Sequence, residues 1–245
     1  MTRMIEAAGR SVASSGTELI GATAKAGPVS LEGHYDDAMS VFAVMEEIHA
    51  GERGDIDGYV IACFSDPGLL AAREIATGPV VGCAEAAMHA ASFVATGFSI
   101  VTTPDRTRII AERLVREYGM ENYCKRVRTI DMPVLELQKP KSKARERVLA
   151  ECEKAIIQDG SGAIVLGCAG LADLVKTLEL ELHVPVVDGV AAAVKFTEAL
   201  VGLNLATSKR GDLAYPVPKK YTGALNTFSP KSSFPNHRDA KRHRT

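Results

Sequence analysis

The chain of 245 residues is 46% hydrophobic and 24% charged, an ordinary soluble globular composition, with room for one large domain or two smaller ones. Its formal net charge of -1 does not mark a nucleic-acid binder, and no stretch reaches the roughly 18 apolar residues of a membrane span. Aromatic residues make up 5% and Trp is absent, so the core must be filled mainly by Ala, Val, Ile and Leu, which suits tightly packed α/β layers.

The opening MTRMIEAAGRSV is amphipathic and lacks the long apolar run and cleavage site of a signal peptide. A strand is predicted at GTELIGAT (16–23), then a helix carrying Ala38, Val41, Phe42, Met45 and Ile48 at helical spacing. Further strands are expected at GYVIAC (58–63), GPVVG (78–82), FSIVTT (98–103), VRTIDM (127–132), GAIVLGC (162–168) and VPVVDG (184–189). Helical patterns at 105–118, 143–158 and 189–202 intervene, and this alternation is that of βαβ units on a parallel sheet. Residues 221–245 read as a disordered basic tail. Within it, residues 231–245 carry Lys231, Arg238, Lys241, Arg242 and Arg244 against Asp239.

One pattern occurs twice. GYVIAC, a helix and GPVVGCAEAA at 58–87 are echoed by GAIVLGC, a helix and VPVVDGVAAA at 162–193, so Cys63 and Cys168 occupy the same station in each copy. The expected fold is therefore α/β, with two similar parallel-sheet domains related by a pseudo-twofold axis. Residues 1–95 with 189–220 form the first, residues 96–188 the second, and the active-site cleft lies between them at the carboxyl ends of the strands.

Five cysteines, Cys63, Cys83, Cys124, Cys152 and Cys168, include no C-x-x-C and leave an odd number, which argues against a disulfide framework or a zinc cluster and for reduced thiols in cytoplasm. Cys83, Cys124 and Cys152 read as small packing residues, Cys124 in a polar connection. Cys63 and Cys168 differ because each closes an apolar strand before a helix start. For Cys63, Asp66 is the expected N-cap and Pro67 the first helical residue. Free amides and the helix dipole there would lower a thiol pKa toward neutrality. Inversion at a carbon needs one group to take a proton from one face and another to deliver one to the opposite face, and two symmetry-related thiols do both. An acidic proton beside a carbonyl and an amide nitrogen, as in a five-membered imide ring, suits such a pair without a cofactor. The backbone amides of Phe64, Ser65, Ala169 and Gly170 are candidates to stabilise the resulting enolate.

The residues GPVSLEGHYDDA (27–38), VIACFSDPGLLAARE (60–74), FSIVTT (98–103), DGSGAIVLGCAGL (159–171), VPVVDGVAAAVK (184–195) and ATSKRGDLAYPVPKKY (206–221) together resemble the hydantoin and allantoin racemases of the aspartate/glutamate racemase superfamily. The resemblance spans nearly all of residues 1–220. It implies racemisation of 5-substituted hydantoins or of allantoin, a compound of purine catabolism, by two-thiol 1,1-proton transfer. It also implies no metal, no pyridoxal phosphate or other cofactor, and a homo-oligomer. Cys63 and Cys168 would be the acid/bases, Phe64, Ser65, Ala169 and Gly170 would supply amides, Thr102 and Thr103 would bind the ring, and Leu31 would line the pocket. Read on their own, Thr102 and Thr103 are strand-end residues and His34 is a loop residue. The family also opens with a strand and an Asn-Pro-Asn-Thr segment that this sequence lacks, so Met1 is expected to be an internal methionine of a longer parent. Alternatives are an aspartate/glutamate-type racemase or related isomerase, a thiol redox protein using Cys63 and Cys168, and a non-catalytic binding protein.

Overall fold

A computed structural model describes residues 1–137, 139 and 142–230. Helix α1 (Thr2–Val12) leads through an extended segment to α2 (His34–Gly51), and then β1 (Tyr59–Ile61), α3 (Leu69–Ile75), β2 (Val80–Gly82), α4 (Cys83–Val94) and β3 (Phe98–Thr102) follow. Next come the 3-10 helix η1 (Asp105–Thr107), α5 (Arg108–Glu117), β4 (Cys124–Thr129), the 3-10 helix η2 (Val134–Glu136) and α6 (Ala144–Asp159). Then follow β5 (Ala163–Leu166), the 3-10 helix η3 (Ala169–Leu174), α7 (Val175–Leu182), β6 (Val186–Asp188) and α8 (Gly189–Gly202), with short 3-10 helices beyond.

Strands β1 and β2 form a two-stranded parallel sheet, and a second parallel sheet runs in the order β4-β3-β5-β6. The α/β class with parallel sheets is therefore the fold. Centrally placed β3 and β5 are buried along their whole length, which is why their sequences are continuous apolar runs rather than alternating ones. Helices α4 and α8 pack on each other between the sheets. Their N-termini approach so closely that a methyl group at Gly189 would lie 2.5 Å from the Cys83 carbonyl oxygen, a contact only glycine permits.

The two echoes of the repeat share the same strand pairing and element order. Tyr59 pairs with Val80 and Ile61 with Gly82, just as Ile164 pairs with Val186 and Leu166 with Asp188. In both copies the second strand runs directly into a helix, α4 or α8.

Three expectations need correction. GTELIGAT is not a strand: it runs beside α1, where Arg10 donates to the Leu19 carbonyl at 2.6 Å and Leu19 packs against Gly9. No neighbouring strand among the described residues offers it a ladder, and pairing is what makes an extended segment a strand. β4 starts earlier than VRTIDM and includes Cys124, which is not in a connection. It ends before Asp131, whose φ of +47° turns the chain away. His34 is the exposed first residue of α2 rather than a loop residue.

Residues 221–230, placed in the tail on sequence grounds, contain a 3-10 helix (Gly223–Phe228). The Phe228 ring lies 6.0 Å from that of Phe42 on α2. The rest of the expected tail, 231–245, lies outside the described residues. No helix among the described residues is long and apolar enough to cross a membrane.

Candidate active site

Cys63 lies two residues beyond the end of β1, and Cys168 two residues beyond the end of β5. Both are partly buried and free. Each sulfur is held in the same way. The Ser65 amide donates to the Cys63 sulfur and the Gly170 amide to the Cys168 sulfur, in each case from two residues further on. Each also has a hydroxyl partner: the Ser65 hydroxyl, 3.4 Å from the Cys63 Sγ, and the Thr103 hydroxyl at Cys168. A negative charge on Cys63 is felt at Cys168, and buried Cys83 on α4 feels both.

The environment does not lower either pKa, contrary to the expectation from helix N-termini. Burial pushes the Cys63 thiol up from its ordinary value, with Asp66 and Asp37 adding to the rise. Burial pushes Cys168 to about 11, with the Cys63 and Glu32 charges also raising it. In both cases the amide and hydroxyl bonds pull the other way and lose. Desolvation of a thiolate costs more than two weak donors return. A further reason applies to Cys63. The next helix does not start at Pro67 with Asp66 as its cap: α3 begins at Leu69 after Gly68, so its dipole is set back from the sulfur.

Asp66 does something else. Held at a φ of +45°, its carboxylate accepts the amides of Ala84 (3.1 Å) and Glu85 (3.0 Å) at the start of α4, and the Tyr118 hydroxyl (2.8 Å). In the second copy, Asp188 accepts the equivalent amides, Val190 and Ala191, from its own chain position at the N-cap of α8. The first copy has Gly82 at that position, and a side chain there would collide with Asp66, whose carboxyl carbon is 2.3 Å from where the methyl group would be. One helix is thus capped locally and its counterpart by the loop that follows Cys63. The sequence does not reveal this role of Asp66, because a cap from 18 residues away leaves no local signature.

The remaining expected residues divide. Phe64, Ala169 and Gly170 are buried beside the sulfurs, and Ser65 is partly buried. Thr102 is buried and donates its hydroxyl to the Gly167 carbonyl at 2.7 Å, tying β3 to the loop that leads into Cys168. Thr103 is buried with its hydroxyl on Cys168. Leu31 is partly buried in the loop before α2. Around Gly170, a methyl group would lie 3.0 Å from the Leu137 Cδ1, 3.4 Å from the Cys168 Sγ and 3.8 Å from the Met1 Cε, so Leu137 is an apolar neighbour of Cys168 that no sequence motif announced. Cys152 is buried in α6, as expected of a packing residue.

A pH profile follows from these shifts. Proton abstraction by either sulfur needs one thiolate and one thiol, and both pKa values are raised. The kcat/KM of any proton transfer they perform should climb about tenfold per pH unit from pH 7 and fall again only when both thiols have ionised. A plateau already reached at pH 7 would contradict the burial effect.

The Asp/Glu/Hydantoin racemase family matches residues 1–197. Over 228 residues the chain is 44% identical to a hydantoin racemase of Pseudomonas sp. (strain NS671), covering 93% of this chain and 92% of that one. It is 50% identical over 196 residues to a hydantoin racemase of Rhizobium meliloti, covering 80% and 81% respectively. Among solved structures, an allantoin racemase from Klebsiella pneumoniae matches with a TM-score of 0.91 at 53% identity, covering 94% of each chain. The chain therefore belongs to the Asp/Glu/hydantoin racemase family and is an isomerase of the racemase type.

Proposed function

We propose that this racemase inverts the ring carbon of 5-substituted hydantoins or of allantoin by 1,1-proton transfer between Cys63 and Cys168, without a cofactor. The observation that carries the proposal is the equivalence of the two sulfurs: same station after matched strands, same amide two residues on, one hydroxyl each. One thiolate takes the proton from the carbon, and the C–H electron pair passes into the neighbouring carbonyl as an enolate. The other thiol then delivers its proton to the opposite face. The sulfurs exchange roles, and the reverse reaction starts from the state the forward one leaves. The enolate oxygen needs donors, for which the amides of Phe64, Ser65, Ala169 and Gly170 are the nearest supply. Ser65 and Gly170 already point at sulfur, so their bonds to thiolate and to enolate compete or are shared.

Thr102 and Thr103 are assigned different duties. With its hydroxyl spent on Gly167, Thr102 supports the loop, whereas Thr103 beside Cys168 is the better placed of the two to meet a ring. Leu31 and Leu137 would supply apolar walls. A neutral ring is favoured over a free amino acid because, apart from the sulfurs themselves, the charges that act on the two thiols are the carboxylates Asp66, Asp37 and Glu32. They would repel an aspartate or glutamate side chain.

The domain reading that goes with this, residues 1–95 with 189–220 against 96–188, puts β1, β2, α1–α4 and α8 on one side of the cleft and β3–β6 with α5–α7 on the other. Free thiols at all five cysteines accord with a reducing, cytoplasmic setting. The exposed side chains of Tyr35, Met39 and Phe42 on α2 accord with a homo-oligomer.

Incubation of one enantiomer of a hydantoin, and separately of allantoin, in deuterated water tests the substrate assignment. Loss of optical rotation should accompany uptake of one solvent deuteron per inversion. Inversion of glutamate or aspartate but of neither ring would refute it.

A further inference from the structure

Leu31, offered above as a pocket wall, sits in a loop (27–33) without regular secondary structure. The residue after it fixes that loop. Glu32 Oε1 accepts the Val134 amide at 3.0 Å and the Ser30 hydroxyl at 3.1 Å, while the Glu32 amide donates to Asp36 Oδ2 at 3.0 Å on the first turn of α2. Val134 is 102 positions further along, at the start of η2, and Leu137 immediately after η2 is the side chain that packs at Gly170 beside Cys168. One carboxylate thus joins the loop carrying Leu31 to the wall carrying Leu137. The charge of Glu32 also reaches Cys168, which sets this junction beside the sulfur rather than at a remote surface.

We propose that Glu32 is a positioning residue for the racemase, a tie between the two halves whose bond to the Val134 amide holds Leu31 and Leu137 as opposed apolar walls over the ring bound at Cys168. The inference rests on the racemase reading above. A hydrogen bond from a backbone amide to a carboxylate is of the stronger, charge-assisted kind, so a single one is enough to set the loop. Its loss frees the walls without touching either sulfur. Substrate binding should weaken while the proton-transfer step, once the ring is seated, stays close to normal.

Three single variants, one double variant and two readouts test this. Glu32→Ala should raise KM for the hydantoin about tenfold, leave kcat within about threefold, and remove the protection of the Val134 amide in hydrogen exchange. Glu32→Gln, whose amide oxygen still accepts, should keep KM within about twofold and keep Val134 protected. Val134→Pro deletes the donor instead of the acceptor. It is compatible with the backbone because proline is accepted at the first residue of a helical turn and Pro133 before it has ψ 144°. It should reproduce the KM of Glu32→Ala, and the double variant should be no worse than either single one. An unchanged KM in Glu32→Ala, equal damage in Glu32→Gln, or additive effects in the double variant would each overturn the tie. A wild-type chain inert on every hydantoin and on allantoin would instead overturn the ring-substrate reading, and the role of Glu32 in it.

Discussion

Replacing either Cys63 or Cys168 by Ser should lower the rate of inversion between about 10² and 10⁴-fold, the range carried by a positioned acid or base. The enantiomers have equal free energy, so inversion must fall equally from both sides. Exchange is not bound in that way. With one sulfur remaining on one face, the variant can still remove a proton from one enantiomer, trade it with solvent and return it to the same face. Cys63→Ser should therefore wash deuterium into one enantiomer without inversion, and Cys168→Ser should do so for the other. Polarimetry combined with mass spectrometry of recovered substrate reads both effects. If either single variant still inverts its substrate at the wild-type rate, the two-thiol mechanism is wrong.

The second large effect concerns Asp66. Asp66→Ala removes three hydrogen bonds in a buried site, leaving two α4 amides and the Tyr118 hydroxyl without their acceptor. At about 1 kcal/mol for each bond and more for donors left buried, a loss of about 3 kcal/mol is expected in urea unfolding. Activity should fall as well, because Asp66 follows Cys63 in the same turn, its amide bonded to the Cys63 carbonyl at 2.9 Å.

The second copy of the repeat supplies the rescue. Adding Gly82→Asp to Asp66→Ala places a carboxylate where Asp188 has its own, so much of the lost stability should return. Gly82→Asp alone should be harmful, since two carboxylates would compete for one pocket. The pH dependence gives a separate check. Burial raises Asp66 to about 6 from an ordinary value of 3.8, despite the amide and hydroxyl donors. Below pH 4 the folded and unfolded states both hold the proton. Between pH 4 and 6 the folded state holds it more tightly, so stability falls as pH rises through that window, and this decline should vanish in Asp66→Ala. Failure of Gly82→Asp to restore any stability would mean that the two caps are not equivalent.

Much of this molecule was legible before its fold was known. The period of apolar runs identified β1 to β3, β5 and β6 to within a few residues, and α8 along its whole length, because strand and helix patterns are properties of neighbouring residues. Comparison of the chain with itself found the stations of Cys63 and Cys168, since a duplicated unit keeps its register in sequence as in space. What the amino-acid order did not disclose depends on partners far away along the chain. GTELIGAT has the composition of a strand but no neighbour to pair with. Asp66 looks like the cap of the helix that follows it and instead caps α4. The thiols look activated by nearby helix starts, yet the bulk packed around them from other elements raises their pKa values. Glu32 is one more loop carboxylate until the tertiary structure sets it against the Val134 amide. Local periodicity is written residue by residue, whereas desolvation and through-space hydrogen bonds exist only once distant segments have been brought together.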